Sequence, residues 1–393
     1  MPHASADEQF LHRALDLARQ GIGLASPNPY VGAVIADAHG NVVGNGTYTY
    51  AGVKHAEILA LESAGERARG GTLYINLEPH CHQGRTPPCT DALIAAGIRR
   101  VVASMPDPNP QVCGRGFEKL RAAGVQVEVG LLESEARRLN ETFARYIRHR
   151  VPFVTLKSAM TLDGKIALAP ATGLNRAALN RAAGTPPGGW ITGEAARAHV
   201  HQLRHQSDAI LVGVGTILAD DPLLTDRSGR SRRRPLLRVI LDSHLRLPLQ
   251  SRLVQSIAAG VRKEDVLVFC SAGEERKRRE LEELGIWVEK IPSATDGRRD
   301  MHSVLRRLGE LEITSVLIEG GSTVNAAALG AGVVDKVFLY YTPKIMPAAR
   351  AVPFVSGAAL DHMLNTLCIE DLHLHRFAED FAVEGYLRDP YGE

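Results

Sequence analysis

The sequence predicts two α/β units in one chain. Apolar strand-like runs alternate with amphipathic helical stretches from end to end, and no period of roughly 20–50 residues recurs. The 393 residues also exceed the span of one ordinary domain. Pro152 opens the second unit, giving spans of 1–150 and 151–393.

The first helix is marked at both ends. Ser5 and Glu8 form an S-x-x-E capping box, Phe10, Leu11, Ala14, Leu15 and Ala18 make the apolar stripe, and Gly21 and Gly23 stop it. Strands follow over 31–36 and 42–43, separated by the 37–41 turn, then a helix over 55–64 and a strand over 73–77. A helix over 88–96, a strand over 101–103, a helix over 117–123, a strand over 125–129 and a helix over 134–148 complete the unit.

The second unit reads as strands over 153–159, 209–212, 237–241, 266–270, 316–318 and 337–341, with helices over 194–206, 274–284, 302–311 and 323–331. The Ala-, Gly-, Pro- and Asn-rich stretch 170–189 is expected to be a mobile loop, as is 225–235 with its five arginines, of which Arg230 to Arg234 read as a solvated face. Beyond Lys344 the sequence is uninformative.

Composition excludes several classes. Forty-six basic and 44 acidic residues leave a formal charge of +2, so no global field recruits nucleic acid or an anionic membrane. Hydrophobic residues at 45% and charged residues at 23% are ordinary for a globular chain and exclude long disorder. No apolar run reaches the length of about 18 residues that a membrane span needs. The acidic N-terminus has no apolar stretch of the secretory kind, and five cysteines do not suggest a disulfide framework. A reducing cytoplasm is the expected setting.

The sharpest motif is His55-Ala56-Glu57 followed by Glu78-Pro79-His80-Cys81-His82-Gln83-Gly84-Arg85-Thr86-Pro87-Pro88-Cys89. Zinc deaminases pair an H-x-E with a downstream P-C…C: three side chains hold the metal, and the glutamate shuttles protons. His55 and Cys89 fall at helix starts, whose positive ends favour thiolate and hydroxide. Glu57 is the carboxylate placed to take a proton from water and return it to a departing amine. His55 and Glu57 without Cys89 would read as a polar helix start. His82 reads as a surface residue, and Cys113 as a small buried hydrophobe.

With Ser26-Pro27-Asn28-Pro29-Tyr30-Val31-Gly32, Gly84-Arg85-Thr86-Pro87-Pro88-Cys89 and Asp107-Pro108-Asn109-Pro110, the first unit resembles the deaminase domain of the bifunctional riboflavin-biosynthesis deaminase/reductase family. The resemblance implies a cytidine-deaminase-like fold, Zn2+ as cofactor, and Asn28 and Arg85 as contacts to the substrate's base and phosphate. The family has E-P-C where this chain has Glu78-Pro79-His80, and a histidine where it has Tyr48. Three outcomes stay open at this level: His80 ligates zinc beside His55 and Cys89, Cys81 does so instead, or the site binds zinc poorly and the deaminase is impaired.

The second unit has no G-x-G-x-x-G at a strand-to-helix turn, which disfavours a Rossmann site. It offers instead Lys157 through Lys165, Trp190-Ile191-Thr192-Gly193, Gly213-Val214-Gly215-Thr216, Asp220-Asp221-Pro222 and Glu319-Gly320-Gly321-Ser322. Gly320-Gly321 ends an apolar strand and opens a helix, where backbone N–H groups can hold a pyrophosphate.

In order, these segments resemble the reductase domain of the same family over about 152–343, which implies a dihydrofolate-reductase-like fold and NADPH. By that resemblance Met160, Trp190, Thr216, Asp220, Ser243, Gly321, Ser322 and Thr323 contact NADPH. Gly188, Arg204, Leu224, Arg227 and Glu319 line the substrate site, and Lys157 is the catalytic cation that stabilises or protonates the sugar oxygen. The family also implies a homo-oligomer and a small-molecule substrate, a pyrimidine ribosyl phosphate. The rival readings are a reductase carrying a retired deaminase domain, a nucleic-acid editing protein, which the charge balance disfavours, and a purely structural zinc module.

Overall fold

The computed structural model describes residues 5–83, 86–168, 190–258, 265–292, 300–356 and 367–392. The expected loop 170–189, with Gly188, and the motif residues Gly84 and Arg85 lie outside the described residues. The chain divides into two compact units, Met1–Arg150 with Ser231–Arg234, and Val151–Arg230 with Pro235–Gly392.

In the first unit, α1 (Ala6–Arg19) starts at the expected capping box: Glu8 N donates to Ser5 Oγ and Ser5 N to Glu8 Oε2. Five strands follow, β1 (Gly32–Ala36), β2 (Val42–Thr47), β3 (Thr72–Ile75), β4 (Arg100–Ala103) and β5 (Gln126–Val129), in the order β2-β1-β3-β4-β5. β1 pairs antiparallel with β2 and β3, and β3, β4 and β5 are parallel. The helices are α2 (Ala56–Ala64), α3 (Cys89–Ala95), α4 (Arg115–Ala122) and α5 (Glu133–His149).

One contact fixes α2, the helix that carries the H-x-E motif. A Cβ on Gly44 would fall 2.2 Å from the Ala60 carbonyl oxygen, and one on Gly46 would fall 2.2 Å from that of Ala56. The two glycines lie on one face of β2, so strand and helix meet main chain to main chain.

The second unit is built on a nine-stranded sheet of order β11-β10-β9-β8-β12-β6-β13-β16-β15. Its elements are β6 (Phe153–Thr161), β7 (Lys165–Leu168), α6 (Glu194–Gln206), β8 (Ala209–Gly213), α7 (Val214–Asp220), β9 (Leu237–Leu241), α8 (Arg252–Ala258), β10 (Val266–Cys270), α9 (Glu275–Glu283) and β11 (Trp287–Lys290). They continue with α10 (Met301–Glu310), β12 (Ser315–Ile318), α11 (Ser322–Gly330), β13 (Lys336–Thr342), β14 (Ala351–Pro353), β15 (Glu370–Phe377) and β16 (Asp380–Tyr386). The pairs from β11 through β13 are parallel, and β16 and β15 add an antiparallel hairpin. Alternate residues of β8 enter different cores, Ala209 and Leu211 one, Ile210 and Val212 the other, which is why that strand reads as a continuous apolar run.

The hairpin formed by β15 and β16 is the main element absent from the sequence reading. Two further departures concern side chains. Cys113 is exposed, because it lies in the turn before α4 and not in a core, and Arg232, Arg233 and Arg234 are half-buried and not fully solvated.

Candidate active sites

The H-x-E helix and the start of α3 converge in the first unit. His55 is the N-cap of α2, Glu57 lies in its first turn, and Cys89 is the first residue of α3. His55, Glu57, His80 and Cys89 each offer a ligand atom, and these atoms all lie within 4.8 Å of one another. Cys89 Sγ is 3.3 Å from His55 Nδ1, and the His55 and His80 ring centroids are 4.4 Å apart. Cys81 is half-buried and stands outside this group, and His82 is exposed.

The donor set fits zinc. His80 Nδ1 is buried and has no hydrogen-bond partner among the described residues, as a ligand nitrogen without its metal would be. Burial, with the charges of His55 and His82, lowers the His80 pKa to about 4, so its imidazole is neutral, the form that binds metal. Burial raises the Glu57 carboxyl, opposed by His55 and by a hydrogen bond from Cys89. Burial and the Glu57 carboxylate push the Cys89 thiol up, a balance a divalent cation reverses.

Neighbouring residues hold this group in place. Asn28 Nδ2 donates to Tyr48 Oη at 2.5 Å, and the Tyr48 ring stands edge-on to His55 with centroids 5.5 Å apart. The buried Glu78 accepts from Asp107 N at 3.0 Å, Gly114 N at 2.9 Å and Gly116 N at 2.8 Å, tying the segment that bears His80 to the start of α4. Sequence reasoning missed Glu78 as a clamp because its partners are backbone N–H groups, which leave no trace in residue identity.

In the second unit the expected residues gather where parallel strands end. Met160 lies near the end of β6, Thr216 and Asp220 on α7 after β8, Ser243 after β9, and Glu319, Gly321, Ser322 and Thr323 after β12. β9, β8, β12 and β6 are neighbours, so these positions share the carboxyl edge of one sheet, where α/β proteins bind ligands. Gly321 is the N-cap of α11, that helix start has no side-chain cap, and a Cβ on Gly321 would meet nothing within 4 Å. Open backbone N–H groups there fit a dinucleotide pyrophosphate.

The Glu319 carboxylate accepts from Arg204 Nε at 2.6 Å and from Lys157 Nζ at 3.3 Å. Arg204 Nη1 also donates to the Thr225 carbonyl at 3.0 Å, which anchors the loop bearing Leu224 and Arg227. Leu224 is buried with φ 54°, and Arg227 is exposed. Trp190 is exposed and stacks under the Arg197 guanidinium at 5.0 Å.

Residues 152–383 match the family described as the RibD C-terminal domain, and residues 4–105 match the cytidine and deoxycytidylate deaminase zinc-binding region. The chain is 41% identical over 377 residues to the riboflavin biosynthesis protein RibD of Aquifex aeolicus, covering 96% of this chain and 97% of that protein. It is 39% identical over 385 residues to the protein of the same name from Actinobacillus pleuropneumoniae, covering 98% and 96%. Among solved structures, Acinetobacter baumannii RibD superposes with a TM-score of 0.80 at 34% identity, covering 97% of this chain and 98% of that one. A deaminase/reductase from Thermotoga maritima does so with a TM-score of 0.76 at 37% identity, with the same coverage.

Proposed function

The chain belongs to the RibD family of riboflavin biosynthesis, and from that premise we propose which of its residues carry each of its two activities. The enzyme is a bifunctional deaminase and reductase using zinc and NADPH: it replaces an amine of a pyrimidinone ribosyl phosphate with oxygen and then reduces the ribosyl group to ribityl. Two activities are favoured over a reductase with a retired deaminase domain.

His55, His80 and Cys89 hold the zinc, with His80 taking the position at which the family carries cysteine. The unpartnered buried Nδ1 of His80, within the same 4.8 Å group, carries this assignment. Bound zinc supplies the Lewis acidity that brings a water's pKa to about 7. Glu57, buried in that group, takes the water's proton and returns it to the leaving amine. Asn28, oriented by Tyr48, receives the base, and Arg85 the phosphate.

In the reductase, NADPH supplies the hydride. The groups proposed to hold it are Met160, Trp190, Thr216, Asp220, Ser243 and the Gly321-Ser322-Thr323 helix start. Lys157, aimed by Glu319, stabilises the negative charge that develops on the sugar oxygen and supplies its proton. Arg204, Leu224, Arg227 and Gly188 line the substrate side. Cytoplasmic residence is part of the proposal, supported by five cysteines that form no disulfide among the described residues. So is a homo-oligomer, supported by Leu372 and Leu374 exposed side by side on β15.

The test is zinc content together with ammonia release from the pyrimidinone substrate, on wild type and His80→Ala. Stoichiometric zinc and turnover in wild type, both lost in the variant, are expected. Zinc and turnover that survive the substitution transfer the ligand role to Cys81. Absent turnover in wild type, with NADPH oxidation intact on the deaminated substrate, leaves a reductase alone.

A further inference from the structure

The arginine-rich stretch 225–235 contributes to the first unit. Ser231–Arg234 belongs there, although Arg230 and Pro235 on either side belong to the second unit. Two of its arginines are spent on the turn that follows α1. Arg233 N donates to the Gly23 carbonyl at 2.8 Å, and Arg233 Nη1 donates to the Ser26 carbonyl at 2.7 Å. Arg234 Nη2 donates to Ser26 Oγ at 3.0 Å. The Arg233 guanidinium also lies over the Tyr50 ring, 3.5 Å from its centroid.

These contacts close around Asn28. Ser26 stands two residues before it in the same turn, where Asn28 N donates to the Ala25 carbonyl at 3.0 Å. From the other side, Tyr48 Oη accepts from Asn28 Nδ2, and Tyr50 N ties back to the Leu24 carbonyl at 3.1 Å. Arg233 thus grips the turn with its N–H edge and the 48–50 segment with its flat face. A guanidinium does both at once because it is planar with donors along its rim, and a lysine ammonium has no such face. Resting on the reading above that Asn28 receives the base, we propose that Arg233, assisted by Arg234, is a positioning residue of the deaminase. It clamps the 23–26 turn against Tyr50 and so fixes where Asn28 presents its side chain.

Neither arginine belongs to the group formed by His55, Glu57, His80 and Cys89, so the effect on chemistry passes through the placing of the base. A base held out of line with a fixed reacting centre loses rate steeply with displacement. A cation that only attracted the substrate's phosphate would act by charge instead, and lysine would serve as well.

The experiment measures ammonia release, zinc content and amide hydrogen exchange on the full chain. The variants are Arg233→Ala, Arg233→Lys, Asn28→Ala and the double variant Asn28→Ala/Arg233→Ala. Arg233→Ala should lower kcat/KM for deamination by about 10–100-fold, with zinc content and NADPH oxidation at wild-type levels. Exchange should accelerate at the Asn28 and Tyr50 amides, whose acceptors lie in the clamped turn. Arg233→Lys keeps the charge and loses the fork and the face, so it should stay within about threefold of Arg233→Ala. In the Asn28→Ala background the loss of Arg233 should cost less than about twofold more, since nothing is left for it to place. Full activity in Arg233→Lys would make Arg233 a charge for the phosphate and overturn the proposal. Losses that multiply in the double variant, zinc lost along with activity, or unchanged exchange at both amides would overturn it too. Wild-type deamination in Asn28→Ala, with exchange still faster in Arg233→Ala, would sink the reading of Asn28 and leave the clamp on the turn standing.

Discussion

Arg204 grips Glu319 with both ends of its fork, Nε to Oε1 at 2.6 Å and Nη2 to Oε2 at 3.0 Å. The carboxylate is buried, and burial alone would raise its pKa, but the Lys157 and Arg204 charges hold it down at about 2. The Glu319 carboxylate therefore stays ionised across the whole physiological range and goes on accepting from both Arg204 and Lys157.

Glu319→Gln removes the anion from between two largely buried cations. The expected cost is about 3–5 kcal/mol, with loss of reductase turnover. A folded-state pKa below the unfolded value, about 4.3 for glutamate, gives stability that is present above that value and lost as pH falls toward 2. Urea unfolding from about pH 7 to pH 2.5 should show the gap between wild type and variant closing only below about pH 4.5. A gap that does not change with pH would mean that the ion pairs are not its source.

Glu57→Gln keeps the shape of the His55/His80/Cys89 group and removes the proton carrier proposed for it. Ammonia release should fall by about 10²–10⁴-fold while zinc content and NADPH oxidation stay at wild-type levels. Loss of zinc along with activity would make Glu57 a ligand and not a shuttle.

Gly46→Ala places a methyl group 2.2 Å from the Ala56 carbonyl oxygen, a main-chain atom that cannot swing aside. α2 must move, at a cost of about 1–3 kcal/mol, and its shift carries His55 and Glu57 with it. Metal analysis and thermal unfolding should show lower zinc occupancy and a lower Tm, with reductase kcat retained. Wild-type zinc content in this variant would show that the strand contact does not set the site.

Glu78→Ala leaves the N–H groups of Asp107, Gly114 and Gly116 without their acceptor, at about 1–3 kcal/mol for each of the two buried ones, Asp107 and Gly116. Hydrogen exchange should accelerate at those three amides, and zinc should leave faster on challenge with a chelator. Unchanged exchange there would remove Glu78 from the support of His80.

Much of the chain announced itself. The Ser5/Glu8 box forms as its spacing requires, and the long apolar runs become the inner strands because both their faces are covered. β15 and β16 did not, since Glu370 to Phe377 alternates charged residues and histidines with few apolar ones, and an edge strand needs little more. Short α7 lacks the length over which a helical period can be seen. The zinc group was visible because its residue types are rare together. Cys113 misled, its residue type suggesting a core that the turn before α4 does not enter.

The contact of Gly44 and Gly46 with α2 also sets mechanical tolerances. Most helices rest on sheets through side chains that can change rotamer, a cushion with some give. Here the seating surfaces are peptide groups, whose geometry is fixed by covalent bonds. His55, at the head of α2, is mounted as if on a machined shoulder: warming that loosens side-chain packing elsewhere leaves its height above the sheet unchanged, and it shifts only when the strand itself lets go.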